Sequence, residues 1–364
     1  MKFTTSVYTE PNNDFLEKIQ LHLNENMFDS HKNYLEILKD HFSKIDFMSI
    51  NKYPMLGSDL AKSAISKVYH LEKKELFIDN GSSNILRKIF LMLSHKKGDF
   101  LIPSPSWSFY NKTLDFLNVK YIEYNLEEKN SKFSYRRENI EEKINKDTSV
   151  ILFCSPNNPT GNSIDYEDIC YFLETYPDIH FILDQAYIGF IEQNDLEKTI
   201  NLIKKYHNFY IVRTFSKFYG LANLRLGYAI SIANNIKYLE NLSTVFGIPT
   251  FSQKILSDRI SNKELDKSLQ NEFQKVRAYM LHQNCYFKDF TFLDTNSNFM
   301  LIEIKQHVIS TQDLYNFFYQ NNFIIKLESI FNKNYLRVTL ASFEIMNKFI
   351  NLLKEFDGKQ QYEL

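Results

Sequence analysis

From Ala61 onward, helical segments of this chain alternate with short β-rich runs: LFID (76–79), DFLIP (99–103), VKYIEY (119–124), SVILFC (149–154), HFILD (180–184), FYIVRTF (209–215) and RLGYAISI (225–232). Such alternation is the pattern of an α/β architecture, a mostly parallel sheet covered by helices on both faces. Ligands of such sheets collect beyond the carboxyl ends of the strands. The polar motifs of this sequence begin where the apolar runs stop, so those junctions are the places to search for chemistry.

The pattern changes at both ends. Residues 1 to 30 read as an irregular arm ending in LHLNENMFDS, followed by one helical pattern from Tyr34 to Phe42. After residue 245 a long helical segment (Gln253 to Phe287) precedes a strand-like NFMLIEI (298–304), a helix from Thr311 to Gln320, a strand at NYLRVTL (334–340) and a terminal helix. This divides the chain into an arm (1–30), a large domain (31–245) and a smaller α+β domain (246–364). The length of 364 residues suits two such domains better than one core.

Charge and composition exclude several classes of partner. Lys and Arg number 43 against 44 Asp and Glu, a net charge of -1 that supplies no field to attract nucleic acid or an anionic membrane. No apolar run approaches the roughly 20 residues needed to span a bilayer, and the polar N-terminus lacks a signal core, so a cytoplasmic protein is expected. Cys154, Cys170 and Cys285 are far apart and without CxxC spacing, which reads as buried hydrophobes in a reducing compartment, with no structural metal.

Five segments carry candidate chemistry. In VRTFSKFYGLANLRLGY (212–228), Lys217 sits just after a strand, with Ser216 before it and Arg225 after it. A lysine that forms a Schiff base must be reachable and partly desolvated so that its amine can lose a proton. Ser216 and Arg225 can hold a phosphate beside it, the arginine by a bidentate fork. In HFILDQAYIGF (180–190), Asp184 ends a strand, where a carboxylate can pair with a protonated pyridine nitrogen and keep the ring an electron sink. Tyr187, three residues on, and Asn158 in FCSPNNPTGNS (153–163) can both hydrogen-bond the ring's phenolic oxygen. In IDNGSSNILRKIF (78–90), Gly81, Ser82 and Ser83 place backbone N–H groups at a helix N-terminus, a natural phosphate site. PSPSWSFY (103–110) offers Trp107 and Tyr110, either able to stack on a flat ring.

Each segment has an ordinary structural explanation: a solvated loop for Ser-Lys, helix N-caps for Asp184 and the serines, a generic turn for NPTG, core packing for the aromatics. Their fixed order is what carries weight.

In that order the motifs are similar to those of the pyridoxal-phosphate aminotransferases of fold type I, and the chain resembles the histidinol-phosphate aminotransferase family among them. The matching runs are LNEN (23–26), NKYP (51–54), SPNNPTG (155–161), LDQAY (183–187), RTFSKFYGLANLRLGY (213–228) and YLRVTLAS (335–342). The resemblance implies a large domain with a mostly parallel seven-stranded sheet, pyridoxal 5'-phosphate as cofactor, and a homodimer with active sites at the subunit interface. It carries the Schiff-base lysine onto Lys217, the pyridine partner onto Asp184, and the phenolic-oxygen partners onto Asn158 and Tyr187. The phosphate falls to Ser82, Ser83, Ser216 and Arg225, the stacking ring to Tyr110, and the tyrosine that reaches the neighbouring subunit's phosphate to Tyr53. Arg337 matches the arginine that grips the substrate carboxylate, and Asn24 lies in the substrate-side arm.

Four departures bear on substrate: Gln185 replaces the acidic residue after the pyridine Asp, Asn84 the acidic residue ending the phosphate turn, Asn223 a glycine, and Lys326 an arginine that helps bind the substrate's anionic end. Lysine keeps the charge and loses the planar fork. The expected reaction moves an amino group from glutamate to a small phosphorylated ketone, such as dihydroxyacetone phosphate, or to imidazoleacetol phosphate. Its rival is decarboxylation of phosphoserine or phosphothreonine.

Overall fold

The computed structural model describes residues 17–32, 34, 38–39, 51–54, 56–96, 98–191, 196–244, 246–305 and 310–360. The expected arm upstream of residue 17 and most of the expected helix from Tyr34 to Phe42 lie outside them.

The apolar runs become the strands β1 (Leu76–Asn80), β2 (Asp99–Ser104), β3 (Tyr121–Asn125), β4 (Thr148–Cys154), β5 (His180–Asp184), β6 (Phe209–Thr214) and β7 (Leu226–Ile230). They form one seven-stranded sheet in the order β1-β7-β6-β5-β4-β2-β3. The pairs β2/β3, β2/β4, β4/β5 and β5/β6 are parallel, while β7 runs antiparallel to both β6 and β1. The exception has a simple cause. A parallel neighbour requires a crossover of a dozen or more residues, usually helical. The link from β6 to β7 holds only turns and a short 3-10 stretch at Ala222–Leu224, so the chain returns beside the strand it has just left. Alternate residues bury on opposite faces: Ile151, Phe153, Phe181 and Leu183 in one apolar cluster, Val150, Leu152, Ile182 and Val212 in the other.

A second sheet is antiparallel, made of β8 (Phe290–Phe292), β9 (Phe299–Ile304), β10 (Lys326–Ile330) and β11 (Lys333–Thr339) in the order β8-β9-β11-β10. Helices Thr311–Gln320 and Phe343–Gln360 join through Phe318 and Phe349, whose rings stack at 4.9 Å. Ahead of both sheets in the chain, Ile19–Gln20 pairs with Phe323–Ile324, and the Leu21 carbonyl accepts from the Thr339 N–H at 2.8 Å. The N-terminal segment is thereby strapped to the second sheet.

Three expectations need correction. The long helical segment is two helices, Thr250–Ser261 and Lys263–His282, because Asn262 leaves helical geometry and caps the second one by accepting the Leu265 N–H at 3.0 Å. Strands β8 and β10 were absent from the sequence pattern; KLESI alternates charge with apolar residues over too few positions to stand out. Of the cysteines only Cys154 is buried, Cys170 being intermediate and Cys285 exposed. Among the described residues, no helix is long and apolar enough to cross a membrane.

Arg213 on β6 is 1% exposed and donates from both Nε and Nη2 to the Gln185 side-chain Oε1, at 2.8 and 2.7 Å. Its guanidinium lies 5.3 Å from the centre of the Tyr69 ring. The other hydrogen bond of this buried cation, from Nη1 to the Tyr228 hydroxyl, is long at 3.5 Å, so the cation depends chiefly on the Gln185 side-chain amide. Gln185→Leu should therefore destabilise the protein by about 3 kcal/mol, the usual cost of leaving a buried charge uncompensated. The urea midpoint measures it; an unchanged midpoint would show that the tyrosines alone suffice.

Candidate active site

The carboxyl ends of β4, β5 and β6 and the strapped N-terminal segment converge on one set of side chains. Asp184, the last residue of β5, is 1% exposed and accepts the Ala186 N–H at 3.1 Å. Burial raises its pKa to about 6, opposed by the hydrogen bond from Tyr110. Three residues later, Tyr187 receives the side-chain amides of Asn24 at 3.1 Å and Asn158 at 3.3 Å. Asn24 adopts φ 55°, a left-handed conformation that asparagine tolerates. The Lys217 amine lies 5.7 Å from the centre of the Tyr187 ring and donates to the Leu23 carbonyl at 2.8 Å. Burial first, then the charge of Arg337, lowers its pKa to about 8. A substantial fraction of this amine is neutral near physiological pH, as a nucleophile requires.

Two clusters flank this centre. On one side Gly81 caps the helix Ser82–Ser94 without a side-chain acceptor, and Arg225 reaches Ser216 Oγ at 3.4 Å. Gly81 has φ 79°, and a Cβ there would stand 2.6 Å from Arg225 Nη2, so only glycine keeps the guanidinium against the helix N-terminus. On the other side Arg337, on β11, donates to Asn158 Oδ1 at 2.6 Å and to the His22 carbonyl at 2.7 Å. Its guanidinium lies 5.7 Å from the centre of the Phe299 ring, and Lys326 is its cross-strand partner. His22 has its pKa lowered to about 4 by burial and by Arg337 and Lys326, so its imidazole is neutral.

Most expected residues thus meet: Asn24, Tyr187, Asn158 and Arg337 are linked by hydrogen bonds with Lys217 beside the Tyr187 ring, Asp184, three residues before Tyr187, is bonded to Tyr110, and Gly81, Ser82, Ser83, Ser216 and Arg225 flank one side and Lys326 the other. Of the remaining two, Tyr110 does not fit as expected. Tyr110 has 0% exposure and offers no ring face; its hydroxyl donates to Asp184 Oδ2 at 2.7 Å. The half-buried aromatics of that segment are Trp107 and Phe109, stacked on each other at 4.5 Å, with Trp107 edge-on to Tyr110 at 5.7 Å. Tyr53 stands apart, 78% exposed and stacked on Phe246 at 4.4 Å. Sequence reasoning missed His22 and Glu328. Glu328 lies two residues from Lys326 in one strand, a spacing that keeps a shared face, whereas His22 belongs to the irregular segment before Asn24 and had no periodicity to reveal it.

The donor set suits pyridoxal phosphate. It combines an uncapped helix end beside an arginine for phosphate, a buried carboxylate for a pyridinium nitrogen, two donors for a phenolic oxygen, and an amine of lowered pKa. Site and sheet topology together define a pyridoxal-phosphate enzyme of fold type I. The chain belongs to the class I and II aminotransferases, whose family model matches residues 17–347. The histidinol-phosphate aminotransferase of Methanosphaera stadtmanae is 29% identical over 312 residues, 84% of this chain and 83% of that one. The crystal structure of the histidinol-phosphate aminotransferase from Clostridium acetobutylicum aligns with a TM-score of 0.82 at 20% identity, covering 94% of this chain and 99% of that one. The L-threonine-O-3-phosphate decarboxylase from Porphyromonas gingivalis shares the fold as well, with a TM-score of 0.78 at 20% identity over 93% of this chain and 99% of that one. The protein is a pyridoxal-phosphate-dependent aminotransferase.

A lysine whose pKa falls from 10.5 to about 8 on folding opposes folding. The penalty is complete below the folded value, where both states are protonated, and gone above the unfolded value, where neither is. Lys217→Met should therefore raise the melting temperature of cofactor-stripped protein at pH 7, with the gain vanishing above about pH 10.5. Parallel thermal melts across that range measure it, and a gain independent of pH would contradict the assignment.

Proposed function

We propose that this aminotransferase moves the amino group of glutamate to a small phosphorylated oxo compound, a ketone such as dihydroxyacetone phosphate or imidazoleacetol phosphate. The observation that carries this reading is the pairing of two cations, Lys326 and Arg337, across adjacent strands beside the Lys217 network. Donor and acceptor alternate in one site, and each brings anionic groups that such a pair can hold.

When bound, the cofactor supplies the electron sink for carbanion chemistry. In our reading Asp184 pairs with its ring nitrogen, and Tyr110 holds that carboxylate in place. Asn158 and Tyr187 face its phenolic oxygen. Gly81, Ser82, Ser83, Ser216 and Arg225 hold its phosphate, and Trp107, rather than Tyr110, covers its ring. Lys217 would hold the cofactor through its amine and would serve as the base that takes up the proton of the substrate Cα and gives it back. Arg337 grips the substrate carboxylate and so selects the Cα–H bond for cleavage, with Asn24 closing the arm side. Tyr53, exposed on its own protomer, would reach the phosphate site of a second copy in a homodimer. The division into arm (1–30), large domain (31–245) and small domain (246–364) is part of the same reading.

Mixing the purified yellow protein with glutamate alone tests the reading. One equivalent of 2-oxoglutarate per site should appear as the colour is lost, and Lys217→Ala should abolish both events and prevent borohydride from fixing the cofactor to the chain. Carbon dioxide release from phosphoserine or phosphothreonine, with no response to glutamate, would replace transamination by decarboxylation.

A further inference from the structure

The cation pair already has a resident partner. On β10, Glu328 lies two residues beyond Lys326, so the two side chains leave the same face of the sheet, the face that also carries Arg337. The Glu328 carboxylate stands 3.1 Å from Lys326 Nζ and 3.5 Å from Arg337 Nη1. The other contacts of the Arg337 guanidinium are with neutral acceptors, the Asn158 side chain and the His22 carbonyl, and its buried Nε has no hydrogen-bond partner. Among the described residues Glu328 is the one carboxylate within ion-pair distance of either cation.

The two halves of this triad differ in accessibility. The Arg337 side chain is 7% exposed, whereas that of Lys326 is 47% exposed and that of Glu328 20%. A half-solvated ion pair at 3.1 Å is weak and exchanges readily. Without Glu328, however, two cations opposed across one sheet would share a partly desolvated corner with no counter-charge, an arrangement that repels itself. A carboxylate held there satisfies both until a stronger anion arrives.

We propose that Glu328 is a specificity-determining residue, the resident counter-ion of the Lys326–Arg337 pair, whose place is taken by the second anionic group, carboxylate or phosphate, of an incoming substrate. The inference rests on the reading of Arg337 as the carboxylate grip. Glu328 then sets a threshold. A substrate with a neutral tail leaves the Lys326–Glu328 pair intact and gains nothing from it. A dianionic substrate captures Lys326 but must displace Glu328, which weakens its binding.

The test compares wild type, Glu328→Gln and Glu328→Asp as cofactor-loaded proteins, with cofactor absorbance and melting temperature as checks on folding. Glutamate supplies a tail carboxylate, phosphoserine a tail phosphate and alanine a neutral tail. Glu328→Gln should lower KM for glutamate and phosphoserine by about fivefold, the scale of one partly solvated charge contact, while leaving kcat and the KM for alanine unchanged. Glu328→Asp, which keeps the charge, should behave like wild type. Rising salt should shrink the difference. A drop for only one of the two anionic donors would identify the tail group the site accepts. In parallel, calorimetric binding of glutarate and butyrate reads the same residue without turnover: Glu328→Gln should tighten glutarate and leave butyrate unmoved. If wild type converts none of the donors, the transaminase reading with these substrates fails, and the glutarate comparison still decides the role of Glu328. Equal effects on dianionic and monoanionic ligands, or no effect on either, would overturn the proposal.

Discussion

The site depends on a few backbone groups between residues 21 and 24. The Leu21 carbonyl accepts both the N–H and the hydroxyl of Thr339, the His22 carbonyl accepts Arg337, and the Leu23 carbonyl accepts Lys217. The Asn24 N–H donates to the Thr339 hydroxyl, and its carbonyl accepts Asn298. A segment with no helix or sheet of its own has its polar backbone satisfied by the elements it ties together. The strap is therefore the means by which a lysine placed by the large sheet and an arginine placed by the small one come to face the same tyrosine.

Within that frame, burial works in opposite directions on two charges. It raises the pKa of Asp184 to about 6 and lowers that of Lys217 to about 8, so the low dielectric of the site disfavours both ionised forms. The hydrogen bond from Tyr110 partly counters the effect on Asp184. The cationic groups of Arg337 and Arg225 reinforce the effect on Lys217. A ring that is positive at its nitrogen and electrophilic at its aldehyde meets both needs, since it offers the carboxylate an opposite charge and the amine a partner for its lone pair.

Much of this was legible beforehand. Each expected run of the large sheet is a strand within a residue or two, because period-2 burial on two covered faces leaves a strong apolar signal. Lys217, Asp184, Asn158 and Tyr187 could be singled out because they follow the ends of apolar runs, while Arg337, inside β11, was singled out only by the family resemblance. What escaped depends on direction rather than identity. Trp107 and Tyr110 are both aromatic and three residues apart, and only the packing of Tyr110 beneath Asp184 tells the ring that is covered from the ring that remains open. Glu328 had no motif to announce it, since its meaning comes from Arg337 on a neighbouring strand. Asn262 breaks a helical stretch whose periodicity continues on both sides of it.

The strap also has a consequence for biosynthesis. Asn24 and Thr339 are 315 positions apart, as are His22 and Arg337. Residues 21–24 therefore leave the ribosome 315 positions ahead of the strand residues that hold them. The large sheet can collapse around its own runs while the chain is still growing, since domains form as units in order of emergence. The lysine-bearing turn must then wait, without the carbonyl that fixes its amine, until β11 is released. Competence for chemistry is thus gained late, and a chain cut short before β11 would keep the large sheet's own sequence while lacking the means to orient its nucleophile.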